Sequence, residues 1–300
     1  MRAVLIYEDA PRPRLMPGDA LVRVYASAIT KDELTWDPTY QTANGEPRTP
    51  SIPGHEFSGV VEELAPDTEL AKVGEEVYGL ASFYRDGSAA EFIAIHADDL
   101  AAKPKTLDHV HAAAIPLAAL TAWQAIFSHA MLTRGQRVLI HGGAGGVGSF
   151  AVQMANWAGA TVITTAAADN HDFVRQLGAQ EVIDYAKVHS EDVVSDVNVV
   201  LDTIGGSTLQ RSYGVLRQGG TLVSIVEPPS AEKAKAQGIK GEFFIVEPDR
   251  TQPKEIGRLI DTGRLRAFVD SVLPIQQARQ AFEQGLRAHS RGRIVLRIAG

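Results

Sequence analysis

Short apolar runs with period-two alternation, broken by Gly, Pro and Asp, fill the first hundred residues. Ala20-Leu21-Val22-Arg23-Val24-Tyr25 alternates after a Pro-Gly-Asp turn, and residues 59–64, 76–80 and 90–95 repeat the texture. Residues 1–7 read as a first strand. Such spacing of short strands predicts a small barrel. Residues 35–53 are polar and punctuated by Pro and Gly, which predicts a long loop. From about Asp108 the texture changes. Residues 110–126 are Ala-rich and apolar, as in a buried helix with a break at Pro116. Apolar strands at 137–141, 160–165, 181–185, 197–202 and 220–225 then alternate with helices at 147–159 and 171–177. That alternation predicts a parallel sheet with helices on both faces. The tail holds a helix at 275–286 and a closing strand at 292–298. Residues 231–236 read as a solvated helix face.

Composition narrows the function classes. The 300 residues are 45% hydrophobic and 22% charged, as in a globular chain of two domains. The formal net charge is -7 and no run of Lys or Arg occurs, which argues against nucleic-acid binding. No apolar stretch is long enough to span a bilayer. The apolar run at the N-terminus is too short for a secretory signal, so the expectation is a cytoplasmic protein. Cysteine is absent, which excludes disulfides, iron–sulfur clusters, cysteine nucleophiles and cysteine-based zinc sites.

The motif richest in chemistry is Gly142-Gly143-Ala144-Gly145-Gly146-Val147-Gly148. Gly143, Gly145 and Gly148 satisfy G-x-G-x-x-G between a strand and a helix, the context that gives the pattern meaning. The strand must turn sharply, a pyrophosphate must approach the backbone, and helix and strand must pack closely. The helix N-terminus supplies N–H groups and a positive dipole end for phosphates. The second strand ends Thr165-Ala166 without an acid. Asp169 is either the N-cap of the following helix or an acid that discriminates against a 2′-phosphate.

These residues resemble the medium-chain dehydrogenase/reductase superfamily in its zinc-free quinone oxidoreductase-like branch. Ile52-Pro53-Gly54-His55-Glu56-Phe57-Ser58-Gly59-Val60-Val61 is similar to the family's first-domain signature, and Leu120-Thr121-Ala122-Trp123-Gln124-Ala125 to its domain-junction helix. Residues 141–148, 177–185, 201–206 and 291–296 follow in the family's order. The resemblance implies an α/β fold of a Rossmann doubly wound parallel sheet plus a GroES-like β-barrel domain. It implies a catalytic domain over 1–108, a cofactor-binding domain over 109–247, and a return to the catalytic domain over 248–300. It further implies hydride transfer from NADPH, with NADH as the other candidate, to a quinone or an activated enone. Reduction of an enoyl thioester or alkenal is an alternative, as is a non-catalytic NAD(P)H-sensing protein. A homodimer is the implied assembly.

The resemblance also assigns residues. Cofactor contacts fall on Thr121, Gly143, Ala144, Gly145, Gly146, Val147, Gly148, Thr165, Ala166, Tyr185, Asp202, Ile225, Phe244, Ile245 and Val246. Thr30 stands where related reductases place a polar residue facing the nicotinamide, so a hydrogen bond to the substrate oxygen is expected. Trp36 and Tyr40 either stack on a flat ring or anchor their loop. Glu33 reads as a solvated loop carboxylate, with an acid–base role as the alternative. Phe243-Phe244-Ile245-Val246 is a strand-like run, either core or beside the nicotinamide. Zinc-bearing relatives use a cysteine, the histidine of the Gly-His-Glu motif and a third ligand. Here His55 and Glu56 remain without a cysteine, so no metal is expected and His55 reads as structural. NADPH-dependent relatives often carry serine and a basic residue after the second Rossmann strand, where this chain has Ala167 and Asp169. His96, His109, His111, His129, His171, His189 and His289 show no ligand spacing.

Overall fold

The computed structural model describes residues 5–249, 251–287 and 291–299. Two compact units emerge, one of Met1–Leu117 with Pro248–Gly300 and one of Ala118–Glu247.

The first unit is built on β1 (Asp19–Ile29), β2 (Glu56–Leu64), β3 (Glu76–Leu80), β4 (Phe92–His96) and β5 (Leu100–Ala102). Two late strands join them, described below. Strand β1 is longer than its alternation predicts. Ala26, Ser27, Ala28 and Ile29 are all buried, so no exposed position marks the second half. Ser27 is satisfied there by the Ser88 hydroxyl at 2.7 Å. Helix α1 (His109–Ala113) belongs to this unit, because Ala113 and Ala114 pack on Ala26, Ala28 and Val295. The boundary therefore falls after Leu117, later than the change of texture near 108. Helix α2 (Pro116–Trp123) continues into a π-helical turn, Gln124–His129. Leu5, Ile6 and Tyr7 are not in a strand, and residues 1–4 lie outside the described residues, as does His289.

The second unit carries β6 (Arg137–Ile140), α3 (Gly146–Trp157), β7 (Thr161–Ala166), α4 (His171–Gln176), β8 (Glu181–Asp184) and β9 (Val197–Asp202). Helix α5 (Gly206–Ser212), β10 (Leu216–Ser224), α6 (Ala231–Gln237) and β11 (Lys240–Phe243) complete it. The strands pair in parallel in the order β11-β10-β9-β6-β7-β8. This is the doubly wound order in which ligands bind outside the carboxyl ends of the strands where the order reverses, here at β6 and β9. Leu139, Ile163, Val200 and Leu222 form its buried centre.

The chain then returns to the first unit through α7 (Gln252–Asp261), β12 (Val269–Pro274), α8 (Ala278–Arg287) and β13 (Arg293–Arg297). Among the described residues the seven-stranded sheet runs β12-β13-β1-β2-β3-β5, with β4 also on β1. Helix α7 opens with a proline and buries Ile256, Leu259 and Ile260 at helical spacing, with Gly257 among them. Packing accounts for that glycine: a Cβ would lie 3.3 Å from the Tyr78 hydroxyl.

Candidate functional site

The glycine turn lies at the carboxyl end of β6 and leads into α3. Gly142 holds φ +75°, and its Cβ would meet Thr203 Oγ1 at 2.7 Å. A Cβ on Gly143 would come 2.1 Å from Thr164 Oγ1, and one on Gly148 2.1 Å from the Gly142 carbonyl. Those two glycines are required by the protein's own packing. Gly145 differs. Its Cβ would meet only the Gly142 carbonyl, at an ordinary 3.4 Å, so the open side faces outward. Gly145 is the N-cap of the twelve-residue α3 and provides no side-chain cap. The first-turn N–H groups of Gly146, Val147 and Gly148 therefore have no intrahelical partner. Gly145, Gly146 and Val147 are partly exposed, while Gly143, Ala144 and Gly148 are buried.

Thr165, at the end of β7, stitches this turn. Its hydroxyl accepts the Gly142 N–H and its carbonyl accepts the Gly143 N–H, both at 3.0 Å. Ala166 is buried beside it. His141 is buried and hydrogen-bonded through Nε2 to the Ser212 hydroxyl at 3.0 Å. Burial, then the Arg211 charge, lowers its pKa to about 4, so the ring is neutral.

The remaining cofactor candidates divide. Tyr185 and Ile225 follow β8 and β10, Tyr185 largely exposed and Ile225 partly so. Asp202 is fully buried. Its carboxylate accepts from the Ile204 and Gly205 N–H groups and from the Ser224 hydroxyl at 3.1–3.2 Å. It shapes the loop after β9 and does not present its side chain to a ligand. Strand β11 ends at Phe243, and Phe244, Ile245 and Val246 follow as irregular chain. Phe244 stacks on His129 with ring centroids 4.2 Å apart, Val246 is buried, and Ile245 is exposed. Thr121 is buried in α2. Asp169 lies inside a 3-10 turn, Ala168–Asn170. Asn170 takes the N-cap position of α4 without a side-chain capping bond, which corrects the reading of Asp169 as the cap.

In the first unit, strand register gathers a second group. Ile29 pairs with Ile294 and Ala28 with Glu56, so the ends of β13, β1 and β2 bring Arg293, Thr30 and Glu56 side by side. The Arg293 guanidinium donates to Thr30 Oγ1 at 2.9 Å and to Glu56 Oε1. The other Glu56 oxygen accepts the Leu117 N–H at 3.0 Å. Burial holds the Arg293 pKa down at about 10, opposed by the charge of Glu33.

Glu33 is the largest departure from expectation. It is 1% exposed instead of solvated, and both carboxyl oxygens are buried without a hydrogen-bond partner. Burial raises its pKa to about 8, although Arg293 pulls the other way. The loop that carries it is held by polar anchors. Thr39 donates to the Glu33 carbonyl at 2.6 Å, and Arg48 ties Pro38 and Thr39 carbonyls at 3.0 Å while pairing with Asp86 at 2.7 Å. Alternation could not reveal this, because the loop is held by backbone carbonyls and not by an apolar stripe. Arg293 was visible only as part of the closing segment; its neighbours come from register.

His55 enters β2 from Gly54, whose φ of +92° and contacts with Ala89 and Ser88 leave no room for a Cβ. Its ring lies parallel to Trp36 at 6.1 Å and edge-on to Phe83 at 4.8 Å. Burial, then Arg48, lowers its pKa to about 4. Tyr40 does not join this aromatic group: its hydroxyl donates to the Leu34 carbonyl at 2.9 Å, so it anchors the loop. Thr30, Trp36 and Tyr40 are all partly buried.

Glu56 is committed to Arg293 and the Leu117 N–H. Among the described residues no three His, Cys, Asp or Glu side chains converge as a ligand set.

Comparison with known proteins places this geometry. The family model described as an alcohol dehydrogenase GroES-like domain matches residues 16–105, and the zinc-binding dehydrogenase model matches residues 177–296. A probable mitochondrial zinc-binding oxidoreductase of Arthroderma benhamiae is 33% identical over 96% of this chain and 91% of its own. A chloroplastic NADPH-dependent alkenal/one oxidoreductase of Arabidopsis thaliana is 30% identical over 95% and 73%. The solved quinone oxidoreductase of Coxiella burnetii superposes with a TM-score of 0.88 at 30% identity, over 97% of this chain and 94% of that one.

Proposed function

The chain belongs to the medium-chain dehydrogenase/reductase superfamily, an oxidoreductase family that uses a nicotinamide cofactor, and on that premise we propose a zinc-independent, NADPH-dependent reductase of quinones or enones. The observation that carries the cofactor half is the contrast among the glycines. Gly143 and Gly148 are filled by the protein's own atoms, whereas Gly145 leaves its side open at an uncapped helix N-terminus. That is the cradle a pyrophosphate needs. Gly145, Gly146 and Val147 would hold the phosphates. Tyr185, beyond the end of β8, stands on the half of the sheet that would hold the adenosine, and Ile225, beyond the end of β10, on the half that would hold the nicotinamide. The strand end Thr165-Ala166 bears no carboxylate for a ribose hydroxyl, while Asp169 beyond it stands against a 2′-phosphate, so the NADPH reading is drawn from the NADPH-dependent relative of Arabidopsis thaliana.

When bound, the nicotinamide supplies the hydride. For an enone, hydride adds to the β-carbon, the C=C electron pair shifts to the carbonyl oxygen, and a proton from solvent completes the α-carbon. The protein's task is to bind the acceptor and stabilise the oxygen as it gains charge. The Thr30 hydroxyl is suited to that task, and Trp36, already parallel to one flat ring, offers a face to another. The zinc-independent reading rests on Glu56 being consumed by its own ion pair and on the absence of cysteine.

Oxidation of NADPH followed at its absorbance band, against a panel of quinones, enones and alkenals, tests the reading. Turnover unaffected by a strong chelator, with no stoichiometric zinc by metal analysis, is the expected result. Chelator-sensitive turnover would remove the metal-free reading, and no turnover with any acceptor would remove the enzymatic one.

A further inference from the structure

The Thr30 hydroxyl has one proton and two acceptor positions, and the arginine beside it has donors only. The Arg293 contact at 2.9 Å therefore occupies a Thr30 lone pair and leaves the Thr30 proton unspent. Arg293 is itself held from behind. Its side chain is largely shielded, it donates to Glu56, and Glu56 is fixed by the Leu117 N–H at 3.0 Å. Three adjacent strands fix the three residues, so the guanidinium has little freedom to leave Thr30. Thr30 is partly exposed at the end of β1, while Arg293 and Glu56 are shielded. A cation donating into a hydroxyl oxygen makes that hydroxyl a stronger donor, since hydrogen bonds in a chain polarise one another.

We propose that Arg293 is a positioning residue for reduction, one that orients the Thr30 hydroxyl and polarises it to donate to the substrate oxygen on which charge develops. The inference rests on the reductase reading above and adds to it the residue that gives Thr30 its direction. Glu56 then serves to hold Arg293, and carbonyl-bearing acceptors are favoured over acceptors with no oxygen to receive the proton.

The test is a double-mutant cycle on kcat with an enone, with NADPH affinity measured on every variant by nicotinamide fluorescence. Arg293→Gln alone would strand the Glu56 charge, so it is paired with Glu56→Gln. Thr30→Val is expected to lower kcat roughly 100-fold, as loss of one such donor does elsewhere. Thr30→Ser should recover most of that loss. The Glu56→Gln/Arg293→Gln pair should lower kcat roughly tenfold, since it leaves the hydroxyl but removes its polarising partner. Added to Thr30→Val, the pair should have no further effect, because its influence passes through Thr30. NADPH affinity should stay constant throughout. A triple variant whose loss is the product of the separate losses would overturn the proposal alone. Wild-type protein that fails to bind NADPH would overturn the reductase reading and the proposal with it.

Discussion

The Gly142 N–H donates to Thr165 Oγ1 across 3.0 Å, tying the first residue of the glycine turn to the end of the neighbouring strand. A valine at 165 keeps the shape and removes the acceptor. Thr165→Val is expected to cost about 1–3 kcal/mol, because a half-buried N–H is left unpaired. It should also weaken NADPH binding, because the turn loses its tether. Urea unfolding and nicotinamide fluorescence measure the two effects; unchanged values in both would contradict the role.

Glu33 predicts a pH dependence of stability. Its carboxyl is raised from 4.5 to about 8 by burial. Between these values the unfolded chain has released the proton and the native protein still holds it. Stability therefore declines as pH climbs from 4.5 towards 8. Glu33→Gln cannot titrate and should flatten that slope, as read from urea midpoints between pH 5 and pH 8. His55 and His141 act in the opposite direction. Both fall from 6.5 to about 4, so the unfolded chain takes up protons first and stability declines as pH drops through that interval. A Glu33→Gln protein with the wild-type slope would show that the buried carboxyl is not the source.

Tyr78 ties the start of the returning segment to the barrel sheet. Tyr78 donates its hydroxyl to the Pro253 carbonyl at 2.5 Å, inside the protein. Tyr78→Phe leaves that carbonyl without its partner and should destabilise by about 1–3 kcal/mol. Hydrogen exchange in α7 should rise with it, and protection identical to wild type would contradict the tether.

The Rossmann half was the more legible from sequence. Its strands are continuous apolar runs, and the glycine turn announces the helix that follows. Asp202 was visible as a strand end but not as a buried carboxylate, since only the loop that folds back upon it reveals its partners. In the barrel half, legibility ended where order is carried by register and by polar anchors. Glu33 and Arg48 look like surface residues in a polar loop, yet the fold buries one and uses the other to hold carbonyls. The Arg293–Thr30 contact joins residues far apart in the chain, so no local pattern could indicate it.

The most direct measurement is a titration of NADPH into wild type and Gly145→Ala, with thermal unfolding of each and of Gly148→Ala. Gly145 has an ordinary φ of -72° and space for a methyl group, so Gly145→Ala should fold, losing no more than about 1 kcal/mol for alanine at the N-cap of α3. Its methyl would stand where the pyrophosphate approaches, so it should lose NADPH binding. Gly148→Ala should lose stability itself, because its Cβ meets the Gly142 carbonyl at 2.1 Å. Wild type that binds NADPH, with a stable Gly145→Ala that does not, is the result the account predicts. NADPH bound equally by wild type and Gly145→Ala, or by neither, would contradict it.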